Sequence, residues 1–128
     1  MVIPKDLKYT KEHEWVKVEG DLATVGVTDY AQEQLSDIVY LELPAPGTKV
    51  EQMKPIGTIE AVKAVTDIYA PVGGEMVEAN EEAKNTPGII NQDPYGAGWI
   101  VRLKFSDPKQ LDNLLSSAEY EKLLGEVH

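Results

Sequence analysis

The chain reads as a mainly β protein, a flattened barrel or sandwich with short helices and a helical C-terminal tail. Three features predict this. Short apolar–polar runs fill roughly the first hundred positions, turn residues interrupt them at close intervals, and the pattern changes to helical spacing after Asp107.

The elements follow in order. Glu14–Val18 and Leu22–Val27 flank Glu19-Gly20-Asp21, a hairpin-type connection. Thr28 is placed to cap a short helix through Tyr30, Ala31 and Leu35. Asp37–Glu42 alternates at strand period before Pro44, Pro46 and Gly47 break the chain. Pro55–Glu60 and Thr66–Ala70 are two further β-type runs, joined by Ala61-Val-Lys-Ala-Val65. Pro71, Gly73 and Gly74 end the second, and Gly74–Ala79 reads as another strand. The stretch 80–93 is polar and broken by Pro87 and Gly88, so it reads as a loop with one or two helical turns. Strand character returns over Gly98–Lys104.

In the tail, Asp107-Pro108 supplies an N-cap with proline at the first helical position. Leu111, Leu114 and Leu115 then recur at helical spacing. Ser116 and Glu119 have the spacing of a capping box for a second helix, with Tyr120, Leu123 and Leu124 on its apolar side and Gly125 as its stop. No linker or repeat divides the chain. The sequence therefore predicts a single domain over 1–128 with C-terminal helices at about 107–125.

At 128 residues, folding removes roughly two-thirds of the surface an unfolded chain exposes, enough for a core without staples. The chain has no cysteine, so its own atoms supply no disulfide, thiolate nucleophile or thiolate metal ligand. Any thiol redox chemistry must come from something attached. A formal charge of −10 argues against nucleic acid, where a basic face is needed to displace counterions, and against anionic membranes. No apolar run approaches the ~20 residues of a membrane span. The opening Met1-Val-Ile-Pro-Lys lacks the apolar core of a signal peptide, and the expected location is cytoplasmic.

One window concentrates the chemistry: Ile59-Glu-Ala-Val-Lys-Ala-Val-Thr-Asp67. If Ile59 and Ile68 lie on paired strands, Lys63 sits near the apex of their connection, with small neighbours that leave its amine open to a foreign active site. A turn lysine taken alone is only a solvated charge, with Glu60 and Asp67 to balance it.

The wider pattern is more specific. Glu60-Ala-Val-Lys63-Ala-Val-Thr-Asp67, followed by Ile68-Tyr-Ala-Pro-Val-Gly-Gly-Glu75, resembles the lipoylation hairpin of the glycine cleavage system H protein family. His13-Glu-Trp-Val16, Gly26-Val-Thr-Asp-Tyr-Ala-Gln32, the run from Leu35 to Pro44, and Asn91-Gln-Asp-Pro-Tyr-Gly-Ala-Gly-Trp99 resemble the same family in the same order. The resemblance extends from about Leu7 to Leu124. Three positions depart from family patterns: Ala61 stands where serine is usual, Gln34 where some members have histidine, and Glu12 where some have serine.

This resemblance implies a fold of the lipoyl/biotinyl-carrier type and lipoate in amide linkage on Lys63. It implies a non-catalytic carrier of the aminomethyl group of glycine. The implied partners are a pyridoxal-phosphate glycine decarboxylase, a tetrahydrofolate-dependent aminomethyltransferase, a flavin dihydrolipoamide dehydrogenase that reoxidises the dithiol, and a lipoate-attaching enzyme. The residues such an attaching enzyme would read are Glu60, Val62 and Ala64. An aminomethyl thioether carries an ammonium and is prone to hydrolysis, so a carboxylate in a sheltered cleft would hold and protect it. By resemblance Glu14 and Asp67 are the candidates, with Glu12 a weaker third.

Other readings are less well matched. Biotin carriers typically flank their lysine with methionine, whereas Val62 and Ala64 stand here. Lipoyl domains of 2-oxoacid dehydrogenases generally lack the His13-Glu-Trp segment and the helical tail. An H-like lipoyl donor in lipoate relay is the nearest alternative. The only histidines are His13 and the terminal His128, and no Ser/His/Asp set, metal cluster or phosphate-cradling loop is visible. Trp15 and Trp99 read as core or cleft walls.

Overall fold

The structure is a computed structural model and describes residues 1–126; His128 lies outside the described residues. Among these the strands run in chain order as β1 (Lys8–Tyr9), β2 (Glu14–Glu19), β3 (Leu22–Val27), β4 (Ile38–Glu42), β5 (Lys49–Val50), β6 (Pro55–Ala61), β7 (Val65–Tyr69), β8 (Gly74–Ala79) and β9 (Val101–Phe105). Four helices accompany them: α1 (Asp29–Leu35), α2 (Glu81–Asn85), α3 (Ile89–Gln92) and α4 (Ser117–Glu126).

The strands form two antiparallel sheets. One has the order β1-β2-β3-β9-β8-β5, the other β4-β6-β7. Inward residues of both sheets meet in one core, where Val25, Met76 and Leu103 of the larger sheet and Ile59 and Ile68 of the smaller are all fully buried. Burying each such side chain contributes about 1.5–3 kcal/mol. This bears out the mainly β fold with short helices and a helical C-terminus.

The β2–β3 hairpin turns through Gly20, whose φ of 65° suits glycine, with Glu19 opposite Leu22. Further along that pair Trp15 lies opposite Gly26, and its indole covers the glycine so closely that an added Cβ would sit 2.6 Å from the ring. Trp15 is therefore core, its N–H donating to the Pro94 carbonyl at 2.9 Å.

A second cluster lies under α4, where Leu7, Tyr9, Trp15, Tyr120 and Leu124 are buried together. The Tyr9 and Tyr120 rings stack with centroids 4.7 Å apart, and Tyr9 and Leu115 exchange backbone hydrogen bonds of 2.8 and 2.7 Å. The C-terminal segment is thereby fixed to the first strands.

Local signals act as the sequence predicts at several ends. The Thr28 hydroxyl accepts from Ala31 N–H as the cap of α1. The capping box is reciprocal: Ser116 N–H donates to Glu119 Oε1 at 2.9 Å, and Glu119 N–H to Ser116 Oγ at 3.2 Å. Asn80, not singled out from the sequence, caps α2 by accepting from Glu82 and Ala83.

Other expectations need correction. The helix after Asp107 is a 3₁₀ segment, Pro108–Asn113, which stops before Leu114 and leaves Leu115 to pair with Tyr9. Gly125 does not end α4, which continues through Glu126. The last strand begins at Val101, because Gly98 and Trp99 donate their N–H groups to the turn carbonyls of Asp93 and Gly96. β1 and β5, two residues each, are too short to show a period.

Candidate functional site

β6 and β7 pair with Ile59 opposite Thr66 and Glu60 opposite Val65. Ala61 N–H donates to the Ala64 carbonyl at 2.7 Å and closes the tip Val62-Lys63-Ala64. All three tip residues are exposed, Val62 by 75%. Among the described residues the Lys63 ammonium has no ion pair; the salt bridges present join other residues. Glu60 and Asp67, expected as possible counter-charges, therefore do not occupy it.

The tip is anchored on one side. Val62 N–H donates to the Asp37 carbonyl at 3.0 Å. Next to it the Asn91 side chain accepts from Ile38 N–H at 3.0 Å and donates to the Ser36 carbonyl at 2.7 Å and Gln32 Oε1 at 3.2 Å. One amide thus joins α1, α3 and the start of β4 beneath an exposed tip.

A cleft of about 160 Å³ lies beside β7. Glu12, His13 and Glu14 line it from one side, Tyr30 and Gln34 of α1 from another, and Thr66 and Asp67 from the hairpin. The three acids singled out from the sequence therefore meet at one cleft, although 53 residues separate Glu14 from Asp67 in the chain (67 − 14). Gln34 lines it too, as does Glu12, so two of the three departures from family patterns fall on its wall. Trp99 does not. A larger open depression of about 410 Å³ beside Lys49, Glu75 and Lys104 includes no hairpin residue, and its lysine–acid pairs are exposed surface contacts.

Glu14 is the unusual acid. It is 2% exposed at the start of β2. The turn before it explains why: Thr10 N–H donates to the Glu14 carbonyl at 2.9 Å, and the Thr10 hydroxyl oxygen accepts from Glu12 and Glu14 N–H at 3.2 and 3.1 Å. His13 takes a φ of 72° at this turn, a left-handed conformation rare outside glycine, asparagine, aspartate and histidine. The Thr10 hydroxyl donates to Glu14 Oε1 at 2.5 Å, and Tyr69 N–H donates to Oε2 at 3.3 Å.

Burial pushes the Glu14 carboxyl up to about 8; its bonds to Thr10 and Tyr69 pull the other way without cancelling that effect. An empty cleft at neutral pH thus favours the neutral acid, and an arriving cation favours the carboxylate. Burial likewise lowers the His13 imidazole below its ordinary value, against the pull of Glu12. Sequence reasoning missed Thr10 and Tyr69 as partners of Glu14. The Thr10–Glu14 spacing within one turn was the available signal, whereas the Tyr69 amide, 55 residues away, left none.

Comparison with known proteins finds relatives along nearly the whole chain. The family model described as "Glycine cleavage H-protein" matches residues 7–127. A glycine cleavage system H protein from Halothermothrix orenii is 53% identical over 127 residues, covering 99% of each chain. Its namesake from Carboxydothermus hydrogenoformans is 50% identical, over 98% of this chain and 96% of the other. The crystal structure of a glycine cleavage system H protein from Mycobacterium marinum superposes with a TM-score of 0.86 at 36% identity, over 96% of this chain and 99% of that one.

Proposed function

Because this chain belongs to the glycine cleavage H-protein family, and is thus a non-catalytic lipoyl carrier of the glycine cleavage system, we propose that Lys63 bears the lipoate and that the cleft beside β7 shelters its cargo. The observation that carries this reading is the pairing of an exposed, ion-pair-free lysine at a hairpin tip with a buried carboxyl beside the same hairpin. The relatives' name does not favour the relay alternative, a lipoyl donor serving other chemistry.

The residues present fit the group. Thr66 and Asp67, the hairpin residues that line the cleft, stand one and two residues past Val65, within roughly 7 Å of it at ~3.3 Å per residue. A lysine side chain extended by a lipoyl chain spans about a dozen bonds, each advancing roughly 1.3 Å. Its far end therefore reaches the cleft. When bound, lipoate supplies the dithiolane that this cysteine-free chain lacks, and with it the capacity to accept and pass on an aminomethyl group.

The protein's own part is to hold and protect. Glu14, itself almost wholly buried in the cleft wall, offers an oxygen to a cationic cargo, and the Thr10 hydroxyl and Tyr69 amide keep it oriented. Asp67 and Glu12 add negative charge at the rim, where both are exposed. Water exclusion slows hydrolysis of the held group. At the tip, Glu60, Val62 and Ala64 present the surface that a lipoate-attaching enzyme reads, and all are exposed. The partners in turn are a pyridoxal-phosphate glycine decarboxylase, a tetrahydrofolate aminomethyltransferase and a flavin dihydrolipoamide dehydrogenase. Among the described residues no helix is long and apolar enough to cross a membrane.

Exchange of labelled bicarbonate into glycine by glycine decarboxylase tests the reading. The lipoylated chain should support it and Lys63→Arg should not; equal exchange with both would overturn it.

A further inference from the structure

His13 lines the cleft between Glu12 and Glu14. Its ring Nδ1 lies 2.8 Å from the Tyr120 hydroxyl, and that hydroxyl lies 2.7 Å from Thr28 Oγ1. Thr28 Oγ1 in turn accepts Ala31 N–H at 3.2 Å, as the cap of α1. Thr28 and Tyr120 are both fully buried, so neither hydroxyl can turn to bulk water.

Counting protons gives these contacts a direction. The Thr28 hydroxyl has one proton to donate, and its oxygen already accepts from Ala31. The acceptor beside it is the Tyr120 oxygen, so Thr28 donates to Tyr120. With Thr28 as donor, the Tyr120 proton goes to a bare His13 Nδ1, and every proton of the run has an acceptor. The opposite direction would leave a buried Thr28 proton without an acceptor, an arrangement folded proteins avoid.

We infer that Tyr120 is a positioning residue for the cleft: the run of donors from Thr28 through Tyr120 to His13 holds the imidazole as the neutral tautomer with its proton on Nε2. This rests on the cleft serving as the shelter for cargo. Its use there is electrostatic. The groups around the ring are Glu12 on its own turn, Glu14 on β2, Tyr30 on α1, Tyr120 on α4 and Asp67 across the cleft on β7. A charged imidazole among them would neutralise the acids and repel a cationic cargo in the same small cavity. The neutral tautomer leaves the acids free for the cargo, and burial of the ring acts in the same sense. The C-terminal helix thus takes part in cargo binding through one hydroxyl, from 107 residues away in sequence.

The test is tautomer-resolved ¹H–¹⁵N NMR of the full chain labelled at histidine, without lipoate. The sequence has two histidines, so His128→Gln leaves only the His13 signals. In wild type at pH 7, Nδ1 should be unprotonated and Nε2 protonated. Tyr120→Phe keeps the ring that stacks on Tyr9 but removes the donor; it should give a tautomer mixture and move the His13 titration midpoint upward. Thr28→Ser, which retains the hydroxyl, should behave as wild type. A proton on Nδ1 in wild type, or a Tyr120→Phe spectrum unchanged in both respects, overturns the inference.

A second measurement uses the loaded carrier, where Tyr120→Phe should shorten cargo lifetime at pH 6 by threefold or more. A lost tautomer with an unchanged lifetime refutes the positioning role. If the tautomer is as expected but Glu14→Ala leaves lifetime untouched, the cleft reading fails instead.

Discussion

The Thr10 hydroxyl donates to Oε1 of the Glu14 carboxyl at 2.5 Å inside the protein, four residues apart across one tight turn. That contact holds an ionisable group where water barely reaches it, and an oriented acceptor is what a cationic cargo needs. It bears on cargo lifetime and on stability alike.

Removing the acceptor should expose the cargo without disturbing attachment. Glu14→Ala is expected to be lipoylated at the wild-type rate, because the change lies away from the hairpin tip. Hydrogen bonds to charged groups are worth about 1.5–3 kcal/mol, so the aminomethylated form should decay roughly 10- to 100-fold faster. Ammonia release from the isolated loaded carrier measures this, and a wild-type decay rate would remove Glu14 from the role.

The same carboxyl makes stability depend on pH. Burial raises Glu14 to about 8, above its unfolded value, so the neutral acid is the form that suits the fold. Its contribution is fully present below about 4.5 and is lost as pH rises through about 8. A tenfold change in proton affinity is worth about 1.4 kcal/mol, which bounds the loss at a few kcal/mol. Urea unfolding of the unlipoylated chain at pH 5 and pH 8.5 should show that loss, and Glu14→Gln should flatten it. Parallel profiles for the two proteins would contradict the assignment.

The hairpin's foundation can be tested through Asn91, whose side chain serves Ile38 N–H, the Ser36 carbonyl and Gln32 at once. Asn91→Ala leaves the part-buried Ile38 N–H without its partner, whereas the exposed Ser36 carbonyl can take water instead. One such orphan costs about 1–3 kcal/mol, so the variant should unfold more easily by about that much. Lipoylation should slow as well, since the Asp37–Val62 bond just before β4 supports the tip. Unchanged unfolding would show that water replaces the amide freely.

The sequence made some of this legible and not the rest, for physical reasons. Strands of five or six residues with turn residues between them could be read directly, as could the caps at Thr28, Asp107 and Ser116, because those signals are local. The tip at Lys63 followed from two flanking β runs. The cleft acids came by resemblance, and their meeting depends on β7 passing beside the Thr10–Glu14 turn, a tertiary fact that no window contains. For the same reason the Tyr120 hydroxyl behind His13 could not be foreseen: leucine and tyrosine spacing identified the apolar side of α4, but not which hydroxyl it would carry to the cleft. Gly125 misled because a glycine near a helix end reads as its stop, whereas α4 runs one residue beyond it. Leu114 and Leu115 kept helical spacing, yet the pairing of Leu115 with Tyr9 gave more than another helical turn.

The measurement nearest the centre is the intact mass of the chain after incubation with lipoate, ATP and a lipoate ligase, with peptide mapping of the product. A gain of one lipoyl group, mapped to Lys63 and abolished in Lys63→Arg, is the expected result. A gain that survives Lys63→Arg, or that maps to any of the other lysines, would contradict the carrier assignment.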